Sequence, residues 1–233
     1  LLNPRSAFAA AEGHLLVSAD FSHLELRVLA HLSGDQDLLR LLNPQSNSPN
    51  TVDAFKCLAA HWLKRPDAES ISEEERQNAK QLCYAIIYGM GARGLATQRD
   101  IEVSAAQAII DDFMRAFPGR SVCFDPKAER QAVNSVVQGS AADLVKAGML
   151  EVDKAVQQLL SSSETPKLSL CNMVLHLHDE LIYEVGPAAA APRFSSTLRR
   201  CLSSAGSKFN MTVPLPVKIK AGPRWSELQP VDW

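Results

Sequence analysis

The sequence is short of the features that would place it in several broad classes. No stretch of about 18 uninterrupted apolar residues occurs, so no helical membrane span is read from it. The five cysteines, Cys57, Cys83, Cys123, Cys171 and Cys201, are widely spaced and form no CxxC pair. Neither a zinc site nor a disulfide framework is expected, and reduced thiols of an intracellular protein are. An excess of positive charge is also missing: 24 Lys+Arg against 26 Asp+Glu leave a net −2, whereas a nucleic-acid binder usually carries a basic surplus. Any contact with nucleic acid is then expected from a local stripe or from chain that is missing. The amino end, Leu1-Leu2-Asn3-Pro4-Arg5, has the pattern of neither a signal nor a transit peptide and reads as the start of a fragment. What is present is an ordinary globular composition, 46% hydrophobic and 21% charged over 233 residues. That is enough chain to bury a core in one large domain or two intertwined subdomains.

Residues 14–19 read as a short buried strand, 22–32 as a helix, 41–50 as a loop, and 52–63 as a helix with Pro66 just beyond it. Ser70 or Ser72 is placed to cap a long helix reaching Tyr88, with Glu73, Glu74 and Glu75 in its first turn. Gly89, Gly91 and Gly94 then loosen the backbone. A helix over 104–116 precedes a Pro118-Gly119 turn. Residues 128–160 are helical in pattern, with a break expected at Gly139-Ser140 because Ser140-Ala141-Ala142-Asp143 has the form of a capping box. A polar loop over 161–167 leads to paired strands over 173–177 and 181–185. A helix over 188–204 and an alternating strand over 213–221, with Lys218 and Lys220 on one face, complete the pattern. Strands and helices mix without regular alternation, which predicts an α+β fold.

Carboxylates at strand ends are the first candidates for chemistry. Asp20 ends the first strand, and Asp179 with Glu180 sits in a hairpin turn. Such a pair, brought together, can hold two Mg²⁺ ions about 3.5–4 Å apart, whereas taken singly Asp20 could cap a helix and Asp179-Glu180 fill a turn. Glu25 can be read as part of a capping box that starts at Ser22. His176 and His178, two apart on one expected strand, would share a face, and with Asp179 they leave a metal-dependent hydrolase open as a rival. Arg76, Lys80, Tyr84 and Tyr88 recur at steps of four and form a slightly spiralling stripe. Two cations followed by two aromatics suit a nucleoside triphosphate, and an ion-paired helix face is the alternative. Arg130, Asn134 and Gln138 make a second stripe, whose donors suit the acceptors that every base pair shows in the minor groove, or simply a solvated helix face.

Together these segments resemble the family A DNA polymerases. Ala19-Asp20-Phe21-Ser22-His23-Leu24-Glu25-Leu26-Arg27 is similar to the first palm motif, Arg76 through Lys80 and Tyr84 to Tyr88-Gly89 to the fingers helix, and His178-Asp179-Glu180 to the second palm motif. Glu129 to Asn134 and Gln138 to Asp143 are similar to the DNA-contacting palm helices, and Ile87-Tyr88-Gly89-Met90-Gly91-Ala92 is worded most like the eukaryotic nu and theta branches. The resemblance implies a palm, an antiparallel sheet backed by helices, with helical fingers and no thumb. Residues 1–50 and 128–233 would be palm and 51–127 fingers. It implies template-directed transfer of a deoxynucleotide to a primer 3′-hydroxyl, in nuclear DNA repair or damage tolerance, with two Mg²⁺ ions, dNTP and primer–template DNA as partners and no membrane. Asp20 and Asp179 would be metal ligands with Glu180 beside them. Glu25 would exclude a ribose 2′-hydroxyl, and Arg76 and Lys80 would meet the triphosphate, Lys80 also as proton donor to pyrophosphate. Tyr84 would contact the sugar and Tyr88 shape the pocket, while Arg130, Asn134, Gln138 and His178 would track primer and template. The chain departs from the pattern at His23, where Gln is usual, and at Phe55, near a usual His. About ten residues join Phe117 to Ala128, where relatives place several tens, including an arginine-rich segment. With those segments missing, a catalytically inactive DNA- or nucleotide-binding module is the alternative.

Overall fold

The computed structural model describes residues 3–43, 53–117 and 127–233, with side chains in the helix that begins at Lys127 described from residue 134. In chain order the described elements are β1 (Leu15–Phe21), α1 (Leu24–Ser33), α2 (Gln36–Leu42), α3 (Ala54–Trp62), α4 (Glu73–Ile87), α5 (Ala92–Arg99), α6 (Val103–Ala116), α7 (Lys127–Ser161), β2 (Leu170–Leu177), β3 (Glu180–Gly186), α8 (Ala191–Ser204), β4 (Val217–Gly222) and β5 (Gln229–Pro230). They build an α+β chain of two compact units. One comprises Leu1–Leu24, Ala142–Asn210 and Leu215–Trp233; the other comprises Glu25–Ala141 and Met211–Pro214.

The first unit is organised by an antiparallel sheet of order β2-β3-β1-β4-β5. Residues directly opposite in an antiparallel pair share a face, and alternation along β1 therefore sorts the sheet into two surfaces. Val17, Ala19 and Phe21 are buried on one surface. α8 packs against β1, β3 and β4. Its Phe194, Leu198, Cys201 and Leu202 recur at helical spacing and are all buried, and the Phe194 ring meets Tyr183 of β3 at 5.2 Å. The other surface carries Leu16, Ser18 and Asp20 of β1, opposite Glu184, Ile182 and Glu180 of β3 on one side. On its other side β4 sets Lys218 opposite Asp20 and Lys220 opposite Ser18, so the two lysines do share a face. β4 is shorter than the expected 213–221, because Pro214 and Pro216 offer no N–H to a ladder.

The second unit is helical. Of the two expected caps, Ser70 and Ser72, it is Ser72 that caps α4, in a reciprocal box with Glu75, and Tyr88 stands at its C-cap. Asp53 caps α3, whose Phe55, Leu58 and Ala59 are buried, and α3 packs on α4, where the Phe55 and Tyr84 rings meet at 5.8 Å. Trp62 of α3 and Phe113 of α6 pack edge to face at 5.4 Å. Two helices were not expected. α2 is capped by Asp35, whose Oδ1 accepts from Asp37 N and Leu38 N, and α5 follows Gly91 without any side-chain cap.

The expected break at Gly139-Ser140 does not occur, and α7 runs unbroken from Lys127 to Ser161. A glycine inside a helix costs about 1 kcal/mol, which an otherwise intact hydrogen-bond ladder absorbs. The Pro118-Gly119 turn and Cys123 lie outside the described residues; Cys57, Cys83, Cys171 and Cys201 are free thiols.

Candidate active site

In the first unit, the carboxylates gather at one end of the sheet. Asp20 lies in register with Glu180 across β1 and β3. Asp179 occupies the turn between β2 and β3, and its carbonyl accepts from the amide of Phe21 at 3.2 Å, which ties that turn to the end of β1. Ser18, fully buried, donates its hydroxyl to Glu180 Oε1 at 2.5 Å. Sequence reasoning missed this serine, although a polar residue inside the apolar run Leu15-Leu16-Val17-Ser18-Ala19 was the available signal.

Burial, then the negative charges of Asp179 and Glu180, push Asp20 up from 3.8 to about 6, against an opposing pull from Lys220 and Lys218. Burial is also the main cause that raises Asp179. A half-buried pair of like charges is the electrostatic condition that a bound cation relieves. Carboxylate oxygens are donors suited to Mg²⁺, which binds through one or two carboxylates and takes its other ligands from water and substrate phosphates. Asp20 and Asp179 fit that requirement. Among the described residues no cluster of three or more His, Cys, Asp or Glu forms an all-protein cage.

The histidine face expected for a hydrolase is not built. β2 stops at Leu177 after a bulge between Met173 and Leu175, and His178 turns into the left-handed region at φ 55°. The Nε2 of His176 lies 2.9 Å from the His178 carbonyl, so the two rings are not presented as a strand pair.

In the second unit, α4 presents its stripe. Lys80 Nζ lies 5.8 Å from the Phe55 ring centroid. Tyr84 is stacked with Tyr88 at 6.1 Å and tilted against Phe55 at 5.8 Å. A cavity of about 290 Å³ opens along this face, lined among others by Gln77, Lys80, Gln81, Tyr84, Tyr88 and Met90. Glu25 of α1 accepts a hydrogen bond from the Tyr88 hydroxyl at 2.7 Å, which fixes it to the end of the stripe. Arg76 stands apart from the cavity: its guanidinium donates to Asp53 Oδ2 at 2.9 Å and Glu73 Oε1 at 3.0 Å. The ion-paired alternative therefore describes Arg76, whereas Lys80, Tyr84 and Tyr88 line the cavity.

The second polar stripe lies on α7. The Arg130 side chain lies outside the described residues. Gln138 is exposed, and Asn134 is half-buried, with an Oδ1 that has no hydrogen-bond partner among the described residues. The structure thus brings Asp20, Asp179 and Glu180 together in one unit, and Glu25, Lys80, Tyr84 and Tyr88 together in the other.

Comparison with known proteins gives a consistent result. The family model described as DNA polymerase family A matches residues 2–125 and 120–227. The chain is 34% identical to DNA polymerase theta of Drosophila melanogaster over 95% of its length, covering 12% of that relative. It is 31% identical to DNA polymerase I of Chloroflexus aurantiacus over 97% of its length, covering 26% of it. Among solved structures, it matches the POL domain of Pol1 from M. smegmatis in complex with DNA primer-template and dNTP, with TM-score 0.77 and 27% identity. That match covers 95% of this chain and 42% of the other. The chain therefore spans a minor part of each of these proteins.

Proposed function

The chain belongs to DNA polymerase family A, and on that premise we propose that it carries the catalytic carboxylates and nucleotide-facing helix of a DNA-directed DNA polymerase. The reaction is transfer of a deoxynucleotide from dNTP to a primer 3′-hydroxyl, with release of pyrophosphate. The observation that carries this reading is the convergence of Asp20, Asp179 and Glu180 at one sheet end, with Asp20 pushed up to about 6 by burial and then by its acidic neighbours. Asp20 and Asp179 would hold two Mg²⁺ ions there, which would supply Lewis acidity for the 3′-hydroxyl and for the departing pyrophosphate. Ser18 holds the Glu180 carboxylate in place beside them.

In the helical unit, Lys80 meets the triphosphate and can donate a proton to the leaving pyrophosphate, and Arg76 joins it once released from its carboxylates. Tyr84 packs against the sugar. Tyr88 shapes the pocket and, by its hydrogen bond, fixes Glu25 where a ribose 2′-hydroxyl would otherwise sit. Arg130, Asn134, Gln138 and His178 contact primer and template, where donors aimed at shared minor-groove acceptors test pair geometry without reading sequence. A role in nuclear repair or damage tolerance is the setting we infer from the similarity of residues 87–92 to the nu and theta branches.

The test is primer extension on templates that present each base in turn, with Mg²⁺ and with chelator. Matched, Mg²⁺-dependent addition of one nucleotide supports the reading. Binding of DNA or dNTP with no extension would leave the chain an inactive binding module.

A further inference from the structure

The carboxylate that holds Arg76 has a second task. Asp53 Oδ1 accepts from the amides of Phe55 and Lys56 at 2.9 and 3.0 Å and so caps α3. Its Oδ2 accepts from Arg76 Nη2 at 2.9 Å. Burial alone would raise this carboxyl, but the Arg76 hydrogen bond, the α3 amides and the guanidinium charge together hold it below the usual range. The Arg76 side chain is only 20% exposed, whereas Glu73, its other acceptor, is 74% exposed. A contact to so open a glutamate is screened and weak, which leaves Asp53 as the principal hold.

One turn further along α4 the arrangement changes. Lys80 lines the cavity of about 290 Å³ with Gln77, Tyr84 and Tyr88, while Arg76 stands outside it. A phosphate chain is the strongest competitor for a guanidinium already bound to carboxylate, because both present planar or forked oxygen acceptors to the same donors.

We propose that Asp53 is a latch for Arg76, an internal anion that keeps the guanidinium off the nucleotide cavity until a triphosphate exchanges with it. This deepens, and rests on, the reading of α4 as the nucleotide-binding helix. Asp53 is a positioning residue: it sets nucleotide affinity through Arg76 without touching the nucleotide. Each binding event must break the Asp53–Arg76 contact, so the contact lowers affinity. It also makes the site selective, since a ligand without a phosphate chain gains nothing from the exchange.

The substitution Asp53→Asn separates the two tasks. The carboxamide oxygen caps a helix as well as a carboxylate does, while the charge that holds Arg76 is removed. Binding of Mg·dATP to the full chain is measured by calorimetry for the wild type, Asp53→Asn, Arg76→Ala, the double variant and Lys80→Ala. Asp53→Asn is expected to bind dATP about fivefold more tightly, the scale of losing one partly exposed charge-assisted contact. The gain is expected to vanish in the Arg76→Ala background, which a purely structural effect on α3 would not do. Equal or weaker binding by Asp53→Asn, or the same gain without Arg76, overturns the latch while a weakened Lys80→Ala still supports the nucleotide site. If Lys80→Ala and the wild type bind dATP alike, the nucleotide reading of α4 fails and the latch falls with it.

Discussion

Asp20 of β1 faces Glu180 of β3 in direct antiparallel register, and the buried hydroxyl of Ser18, two residues back on the same face, is hydrogen-bonded to that glutamate. Two carboxylates are thus set opposite one another by backbone pairing, with a third, Asp179, in the adjoining turn. Backbone register is rigid on the scale of side-chain motion, so the repulsion cannot be relieved by drift. Burial, and after it the charges of Asp179 and Glu180, leave Asp20 raised until a cation or a proton arrives.

This fixes how stability should respond to pH. Asp20 rises from 3.8 to about 6 in the folded chain, so between these values the folded state holds a proton that the unfolded state has released. The stability tied to protonated Asp20 is complete below about pH 4 and is lost as pH rises through about 6. Asp20→Asn removes that loss. Without divalent cations the variant should be more stable than wild type by about 1 kcal/mol at pH 7.5, a figure discounted for a half-exposed group. At pH 4 the two should melt alike. Thermal melts at both pH values check this, and a variant that melts lower than wild type at pH 7.5 would refute it.

The Tyr88 hydroxyl reaches Glu25 across 63 residues of sequence. If Glu25 excludes a ribose 2′-hydroxyl, Glu25→Ala should raise the ratio of kcat/KM for ATP over dATP by about tenfold or more, the scale of one hydrogen bond to a charged group. Tyr88→Phe, which leaves the carboxylate in place but unanchored, should raise it by less. Single-nucleotide incorporation with each triphosphate measures both. Unchanged ratios in both variants would remove Glu25 from sugar selection.

Two glycines on α7 should respond with opposite signs. A Cβ at Gly148 would stand 2.7 Å from Leu202 Cδ2, and Leu202 is fully buried. Gly148→Ala should therefore cost about 1–3 kcal/mol by overpacking. At Gly139 nothing lies within 4 Å of the added carbon, so Gly139→Ala should stabilise by about 0.5–1 kcal/mol through helix propensity alone. Urea melts of both variants decide it, and a shift of the same sign in the two would contradict the packing described for α7.

What the sequence makes legible here is mostly local. Ser72, one of the two caps the sequence offers, starts α4, and α4 carries its stripe as the step of four implies. The hairpin around Asp179 is read correctly because the two strands lie close in sequence. What is not legible depends on distant packing. Ser18 meets Glu180 across 162 residues, and Arg76 meets Asp53 across 23, through the docking of α3 on α4. No periodicity announces such pairs. The expected break at Gly139 illustrates the converse: a local capping pattern is outweighed when the helix ladder on both sides is intact. The histidine pair misleads because a bulge and a left-handed residue, His178, end the strand before the alternation can be used.

The central claim is that Asp20 and Asp179 act together as the acidic pair of a nucleotidyl-transfer site, and single-turnover incorporation of a matched dNTP tests it most directly. Wild type, Asp20→Asn and Asp179→Asn are compared with saturating Mg²⁺ after melts show that all three are folded. Each variant is expected to lose about a thousandfold or more in rate, the scale of removing a directly charge-stabilising group. Incorporation at the wild-type rate by either folded variant would contradict the account.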